Sequence, residues 1–344
     1  MIARVISPRS VIVAVAAPAA LLASGCIAQE NDATSAVDEP IGAIAHITGN
    51  LYEAYETGGG GGSHNTVFLV TSDGIILGDP VRVEFAEWLK TEFSERFGQT
   101  VKYVIYSHHH PDHASGGTVY ADTATFVGHE QTVVDLDAPL PSNAADLDVN
   151  GNGRLERVEA TGLAYPQNFD RYDLNADDML TGAEINAETP RPAIVYSSEM
   201  TITLGGSSVE LMHPGPAHSD DMSVLYFPEE RAVFAVDFLH VKRFPVTLGG
   251  YPVAQYVDAV ARVETLDFDI LIPGHGDVGE KADLALFLDF LRALEAAVAA
   301  GIDEGKTVEE LSETVSIPGY EDWLLYDARR VTLITETYAL LTGL

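Results

Sequence analysis

The sequence predicts a layered α/β fold, and three observations carry that expectation. Short runs rich in Val, Ile, Phe and Tyr recur along the chain, bounded by turn residues. Stretches with apolar residues at helical spacing lie between them. The alternation occurs in both halves and is interrupted by one acidic segment. With 344 residues, 46% of them hydrophobic, the chain can bury one large core or two modest ones. Its 52 acids against 19 bases give a net charge of −33. That field repels nucleic acid and anionic lipid, so neither is an expected partner; most of these acids read as a solvated surface. The only long apolar run is N-terminal, which excludes a membrane-spanning bundle.

That run belongs to residues 1–26. Arg4 and Arg9 precede an apolar stretch from Val11 to Leu22, too short to span a bilayer, and "LLASGC" follows. This reads as an export signal. Its end resembles a bacterial lipobox, with Ala23 where that pattern usually has Leu. The resemblance implies a lipid on Cys26 and a place in the periplasm or cell envelope. An ordinary cleaved signal, ending near Ala28, would instead remove Cys26. Cys26 is the only cysteine, so no disulfide can form within the chain. Residues 27–40 are small and polar and read as a flexible tether.

Residues 41–134 and 191–344 read as one domain. Gly58 to Gly62 predicts a mobile loop. "TVFLVTSDGIILGD" (66–79) is a hairpin turning at Ser72-Asp73-Gly74. A helix is expected over 80–98, from Phe85, Trp88, Leu89 and Phe93. Further strands are expected at 101–107, 123–130, 200–206, 208–213, 222–228, 231–237 and 268–274. Helices are expected near 253–266, 281–300, 307–314 and 321–342.

Residues 135–190 break the pattern and read as an insertion. From Asp135 to Glu188 there are 12 acids and 3 bases. "DVNGNGRLERVE" (148–159) sets Asp148, Asn150 and Asn152 at loop positions one, three and five. Gly153 follows at six, Arg154 at seven (a backbone carbonyl), Leu155 at eight and Glu159 at twelve. "DLNADDMLTGAE" (173–184) repeats this with Asp173, Asn175, Asp177, Met179, Leu180 and Glu184. The spacing matches the EF-hand calcium loop: alternate oxygens point at one centre, a left-handed residue turns the chain, and the last Glu closes the shell. Asp178 at position six of the second loop predicts weaker binding there. One or two calcium ions are expected, with a structural role favoured over a switch. Pro139 and Pro141 predict a shortened entering helix.

The strand at 101–107 delivers "SHHHPDHASGG". His108 and His110 lie two apart on extended chain, so both rings face one side while His109 faces away. Asp112 and His113 begin the helix that follows Pro111. These side chains cannot all reach one ion, so the motif asks for two adjacent metals and for ligands from distant loops. Candidates stand at or between strand ends: His218 in "GPAHSDD", Asp237 closing "AVFAVD", and His275 in "PGHGD". His213 competes with His218 but belongs to a strand. The remaining histidines, His46, His64, His109, His129 and His240, are expected to be surface or core residues, with His240 a possible substrate contact.

With this set the chain resembles the metallo-β-lactamase superfamily from about residue 45 to 290. The resemblance implies a four-layer αβ/βα sandwich with a binuclear centre at one edge. It implies His108, His110 and His218 on one metal, Asp112, His113 and His275 on the other, and Asp237 bridging. The long gap from His113 to His218 is explained by the insertion. Asp79 would stand behind the metals and orient their ligands. Such ions, about 3.5–4 Å apart, would share a bridging hydroxide for attack on an ester, thioester, lactone, lactam or phosphoester. Asp112 and Asp237 would be the catalytic carboxylates. Zinc is expected first; with no cysteine ligand, manganese and iron also suit the site. Lactamases with a cysteine ligand are disfavoured because Asp237 stands at that position. Lactonases of the family carry a tyrosine where this chain has His240. Sulfate esters stay open. The glycine loop would cover the substrate. Rival readings are an iron oxygenase on this fold and a calcium-binding scaffold with an inactive site.

Overall fold

The computed structural model describes residues 41–58, 64–161 and 165–343. The export signal, Cys26, the tether and residues 59–62 of the glycine loop lie outside the described residues. Among the described residues no helix is long and apolar enough to cross a membrane.

The chain opens with an antiparallel meander of β1 (Gly42–Thr48), β2 (Leu51–Glu56), β3 (Asn65–Thr71) and β4 (Gly74–Leu77). The last pair is the expected hairpin. No strand is expected from sequence before residue 66, because "GAIAHIT" and "LYEAYE" mix Ala, His and Glu into their periodicity. Pairing with β3 makes them strands. α1 (Val83–Glu92) passes into a wide turn over Phe93–Phe97 that ends at the left-handed Gly98. β5 (Val101–Ile105) lies parallel to β4. α2 (Pro111–Ala114) leads into a 3₁₀ turn over Ser115–Tyr120, and β6 (Thr125–His129) lies parallel to β5.

After α3 (Glu130–Asp137) come the short elements α4 (Ser142–Ala145), β7 (Leu155–Glu156), α5 (Tyr165–Tyr172), β8 (Met179–Leu180) and α6 (Gly182–Ile185). β7 pairs only with β8, and this stretch buries a small core of its own, including Leu140, Leu155, Phe169, Leu180 and Ile185. β9 (Ile194–Tyr196) then returns to the first sheet beside β6.

The second sheet contains β10 (Glu199–Leu204), β11 (Ser207–Met212), β12 (Val224–Phe227) and β13 (Ala232–Ala235). α7 (Val253–Glu264) crosses over to β14 (Ile270–Pro273), parallel to β13, and β15 (Gly279–Glu280) closes the edge. α8 (Lys281–Asp303), α9 (Val308–Thr314) and α10 (Tyr326–Thr342) follow. α10 starts later than the sequence suggests, because Leu325 is left-handed at φ 66°.

Alternation along the strands builds the layers. Leu69, Ile76 and Ile105 of the first sheet meet Leu211, Phe234 and Ile272 of the second. Phe68, Leu77 and Val104 point the other way, against Phe85 and Leu89 of α1. Val233 and Leu271 pack beneath Tyr256, Phe287 and Leu291 of α7 and α8. The result is the four-layer αβ/βα sandwich. The carboxyl ends of β4 and β5 in one sheet and of β13 and β14 in the other open on the same edge, where a site can draw on both halves.

Glu53, 6% exposed on β2, is a carboxylate that folding strips of water. Burial, with Asp277 adding repulsion, pushes its pKa up to about 7. The folded chain therefore holds this proton more tightly than the unfolded one, and stability falls as pH rises from about 4.5 to 7. Glu53→Gln should match the native chain near pH 4 and exceed its stability by about 2–3 kcal/mol above pH 7, read from denaturant melts.

Candidate metal centre

Four turns supply the site. The first leaves β5. Ser107 N and Oγ donate to Asp79 Oδ1 (2.7 Å) and Oδ2 (2.6 Å), so the buried carboxylate after β4 fixes the start of the histidine motif. Asp79 Oδ2 also receives His113 Nδ1 at 3.1 Å, which turns His113 Nε2 toward the centre. Gly116 completes the motif by close approach: a Cβ there would lie 2.6 Å from Pro80 O. The second turn carries His218. It is tied to the first by Ser223 N donating to Ser107 O at 2.6 Å. His109 faces away from the centre, as expected, with Nδ1 3.1 Å from Asp221 Oδ1. Ser219 and Thr132 also donate to Asp221. The residue between two candidate ligands thus pins both turns.

The third and fourth turns leave the parallel pair β13 and β14. Asp237 and His218 are both non-glycine residues at positive φ, 59° and 60°. Such strain costs about 1–3 kcal/mol per residue and persists where the surroundings over-determine it. Gly274 makes room: a Cβ there would fall 2.8 Å from Asp237 Oδ1 and 3.2 Å from His113 Cε1.

All seven expected transition-metal ligands converge. His110 Nδ1 and His218 Nε2 are 3.1 Å apart, and His108 joins them in one group. His113 Nε2 and His275 Nε2 are 3.4 Å apart, grouped with Asp112. Asp237 touches both sets, with Oδ2 3.5 Å from His218 Nε2 and 3.3 Å from His113 Nε2, and Oδ1 3.3 Å from His275 Nε2. Donors held at about 2.0–2.1 Å by one tetrahedral ion stand about 3.3–3.4 Å apart. His113 Nδ1 donates to Asp79, which leaves its Nε2 turned toward His275 Nε2 and Asp237. His108 Nε2 is buried with no hydrogen-bond partner. These residues fit divalent ions.

Electrostatics agrees. Burial, helped by neighbouring rings, holds His108 well below the usual histidine range and pushes His110 down to about 3. Both are neutral imidazoles with lone pairs to give. Burial would raise Asp237, but His275 and His113 outweigh it and hold the carboxyl ionised. Burial would also lower His113, and Asp237 with Asp112 instead raises it well above its ordinary value.

His240 does not join the donor groups. It is 2% exposed, with Nδ1 3.3 Å from Arg243 and its ring edge-on to Phe287. His213 stacks on His129 at 4.0 Å, away from the centre. His64 is a correction: expected as a surface or core residue, it lies beside Asp112, His113 and His275. No sequence signal marks it, since its neighbours come from α2 and the turn after β14.

The two acidic loops share one geometry. Asp148 Oδ1 accepts Gly151 N and Asn152 N, and Oδ2 accepts Gly153 N. Asp173 accepts Asp177 N and Asp178 N in the same way. Asp178 adopts φ 60° where Gly153 has 75°, so the second loop makes the same turn without a glycine. Leu155 pairs with Leu180, and Glu156 with Met179, across β7 and β8. Asn150 Nδ2 donates to Glu159. Asn152 Oδ1 and Asp177 Oδ1 each accept the N–H two residues on, at Arg154 and Met179. Glu184 Oε1 is buried with no hydrogen-bond partner. Asn175 lies within the second loop.

Asp79→Asn should test how far the carboxylate behind His113 sets metal affinity. Neutralising it weakens His113 as a donor, and affinity should fall about 10–100-fold in a chelator competition while the far-ultraviolet circular dichroism is retained.

Comparison with known proteins places this geometry. The chain is 23% identical over 270 residues to a linear primary-alkylsulfatase from Pseudomonas sp., a match that covers 73% of this chain and 50% of that protein. It is 23% identical over 104 residues to the 2,4-dinitroanisole O-demethylase subunit alpha of Nocardioides sp., covering 30% of this chain and 31% of that one. The chain thus spans half or less of these curated relatives. A metallo-beta-lactamase structure from Pontibacter korlensis superposes with a TM-score of 0.53 at 18% identity, covering 73% of this chain and 99% of that one. The family model of the metallo-beta-lactamase superfamily matches residues 59–275, a span that takes in the whole donor cluster, and the chain belongs to that superfamily, most of whose members are hydrolases.

Proposed function

We propose that this chain is an exported, binuclear metal-dependent hydrolase of an ester-type bond, with primary alkyl sulfates as the first substrate class and a calcium-binding loop pair beside the catalytic domain. The observation that carries the binuclear reading is the position of Asp237, whose two oxygens meet donors of both sets within 3.3–3.5 Å. The alkylsulfatase relative supports the substrate class. So does Arg243, 3% exposed beside His240, which adds positive charge on the Asp237 side of the centre and suits an anionic ester.

His108, His110 and His218 would hold one ion, and Asp112, His113 and His275 the other, with Asp237 between. The bound ions would supply Lewis acidity and a nucleophile ionised at neutral pH. Asp112, its side chain 47% exposed, is the carboxylate placed to orient that nucleophile from the solvent side. Asp79 keeps His113 in the tautomer that presents Nε2. Asp237 holds the two halves in register. Export through the N-terminal signal, with lipid attachment at Cys26, would put this chemistry in the cell envelope.

The loop pair is read as EF-hand-like on the shared Asp148 and Asp173 geometry and the Leu155–Leu180 pairing. Its role is structural. The segment has a small core under a strongly acidic surface, and calcium bound by the folded state alone stabilises it by mass action.

Metal content per chain by mass spectrometry, with turnover on sulfate ester, carboxylate ester, thioester, lactone, β-lactam and phosphodiester panels, tests the main reading. Two transition-metal ions and sulfate-ester cleavage that Asp237→Ala abolishes are the expected result. Full turnover in that variant removes the bridging role, iron without hydrolysis points to oxygenase chemistry, and no transition metal points to a scaffold. Selective calcium removal should lower the melting temperature by several degrees while turnover at 25 °C stays within about twofold. An unchanged melt would refute calcium binding at these loops.

A further inference from the structure

The site contains a histidine that neither the motif nor the seven-ligand set uses. His64 immediately precedes β3 and is stitched to the loop carrying His275. The two residues form an isolated antiparallel bridge, and Asn65 N donates to Gly274 O at 2.8 Å. Asn65 Nδ2 donates to Pro273 O at 3.1 Å and to Gly276 O at 2.6 Å, clamping that loop from both sides. The rings of His64 and His275 consequently lie 4.7 Å apart, and His113 is 5.5 Å away.

The orientation of the ring is also determined. His64 Nδ1 lies 2.6 Å from Glu56 Oε2, and Glu56 is 8% exposed and paired with Arg82. A carboxylate so placed accepts a hydrogen bond from Nδ1–H, and in the neutral ring that tautomer leaves Nε2 with its lone pair, as carboxylate–histidine pairs present it to metals. That Nε2 points into the centre, 3.4 Å from Asp112 Oδ2. It belongs to a single four-donor group with Asp112, His113 and His275, all of whose donor atoms lie within 4.8 Å of one another. A bare lone pair facing a carboxylate oxygen at this distance is repulsive, so the contact requires either a proton on Nε2 or a metal ion between the two groups.

We infer that His64 is a further ligand of the ion held by Asp112, His113 and His275, oriented by Glu56 and Arg82. This rests on the binuclear reading above. It makes the two halves of the centre unequal: four protein residues on one side, His108, His110, His218 and Asp237, and five on the other, His64, Asp112, His113, His275 and Asp237. The richer side suits a divalent ion that takes more than four ligands, such as manganese, iron or cobalt, better than one that prefers four.

Cobalt(II) titration of the metal-free full chain, followed by calorimetry and visible absorption, tests this. The native chain should take two ions. In His64→Ala one step should be unchanged, and the other weakened tenfold or more with a shifted visible band. His64→Gln keeps a hydrogen-bond donor for Glu56 but is a poor ligand, and should show the same loss. Two steps at native affinity in both variants, or a tighter second step, as when a protonated ring rather than a ligand has been removed, would overturn the ligand role and leave the binuclear reading intact. Loss of both steps in both variants would make His64 structural and overturn it as well. A native chain that takes only one ion would overturn the binuclear reading, and this inference with it.

Discussion

Asp237 sits at φ 59°, one turn beyond β13, with its carboxylate among the rings of His113, His218 and His275. Much of the surrounding structure accommodates that one group. The residue facing it on the next parallel strand end is Gly274, where any side chain would collide with its Oδ1. β13 and β14 belong to one sheet, and His108 and His113 follow β5 in the other. The seam between the sheets is therefore closed by chemistry as well as by the apolar contacts of Leu69, Ile105, Phe234 and Ile272.

The clustered histidines are presented by buried carboxylates outside the donor groups. Asp79 takes two hydrogen bonds from Ser107 and one from His113. Asp221 takes one from each of His109, Ser219 and Thr132. Each is a buried carboxylate whose oxygens are occupied, the condition under which a buried charge is tolerated. They divide the work: Asp79 secures the turn after β5 and the helix after it, and Asp221 secures that turn against the one carrying His218. Asp112 differs. It is half exposed, lies at the solvent side, and meets His64 and His113 without a backbone partner of its own.

The acidic segment is linked to this arrangement through its stem. It leaves the first sheet after β6 through α3, and α3 carries Thr132, which donates to Asp221, and Asp135, 3.5 Å from His109. The residues that lead into the segment thus also brace the turn behind His108 and His110. Order in the segment and the position of that turn share a common support.

Local pattern carried much of this protein. The period-two runs at 66–79, 101–107 and 231–237 survive as strands because each needs only its own alternation and a sheet to join. The histidine motif and the two acidic loops are legible because their geometry is set by spacing along one stretch of chain. His218, Asp237 and His275 are legible as candidates from their places at strand ends, with the family resemblance supplying their roles. β1 and β2 are not legible, since "GAIAHIT" and "LYEAYE" become strands only by pairing with β3. Nor is His64. Its approach to Asp112 and His275 depends on Asn65 clamping a loop more than 200 residues away. The sequence alone determined which chemical groups were available and which turns would expose them. Which ring nitrogen faces which oxygen was decided by the tertiary structure, because that depends on contacts between two sheets that no local periodicity encodes.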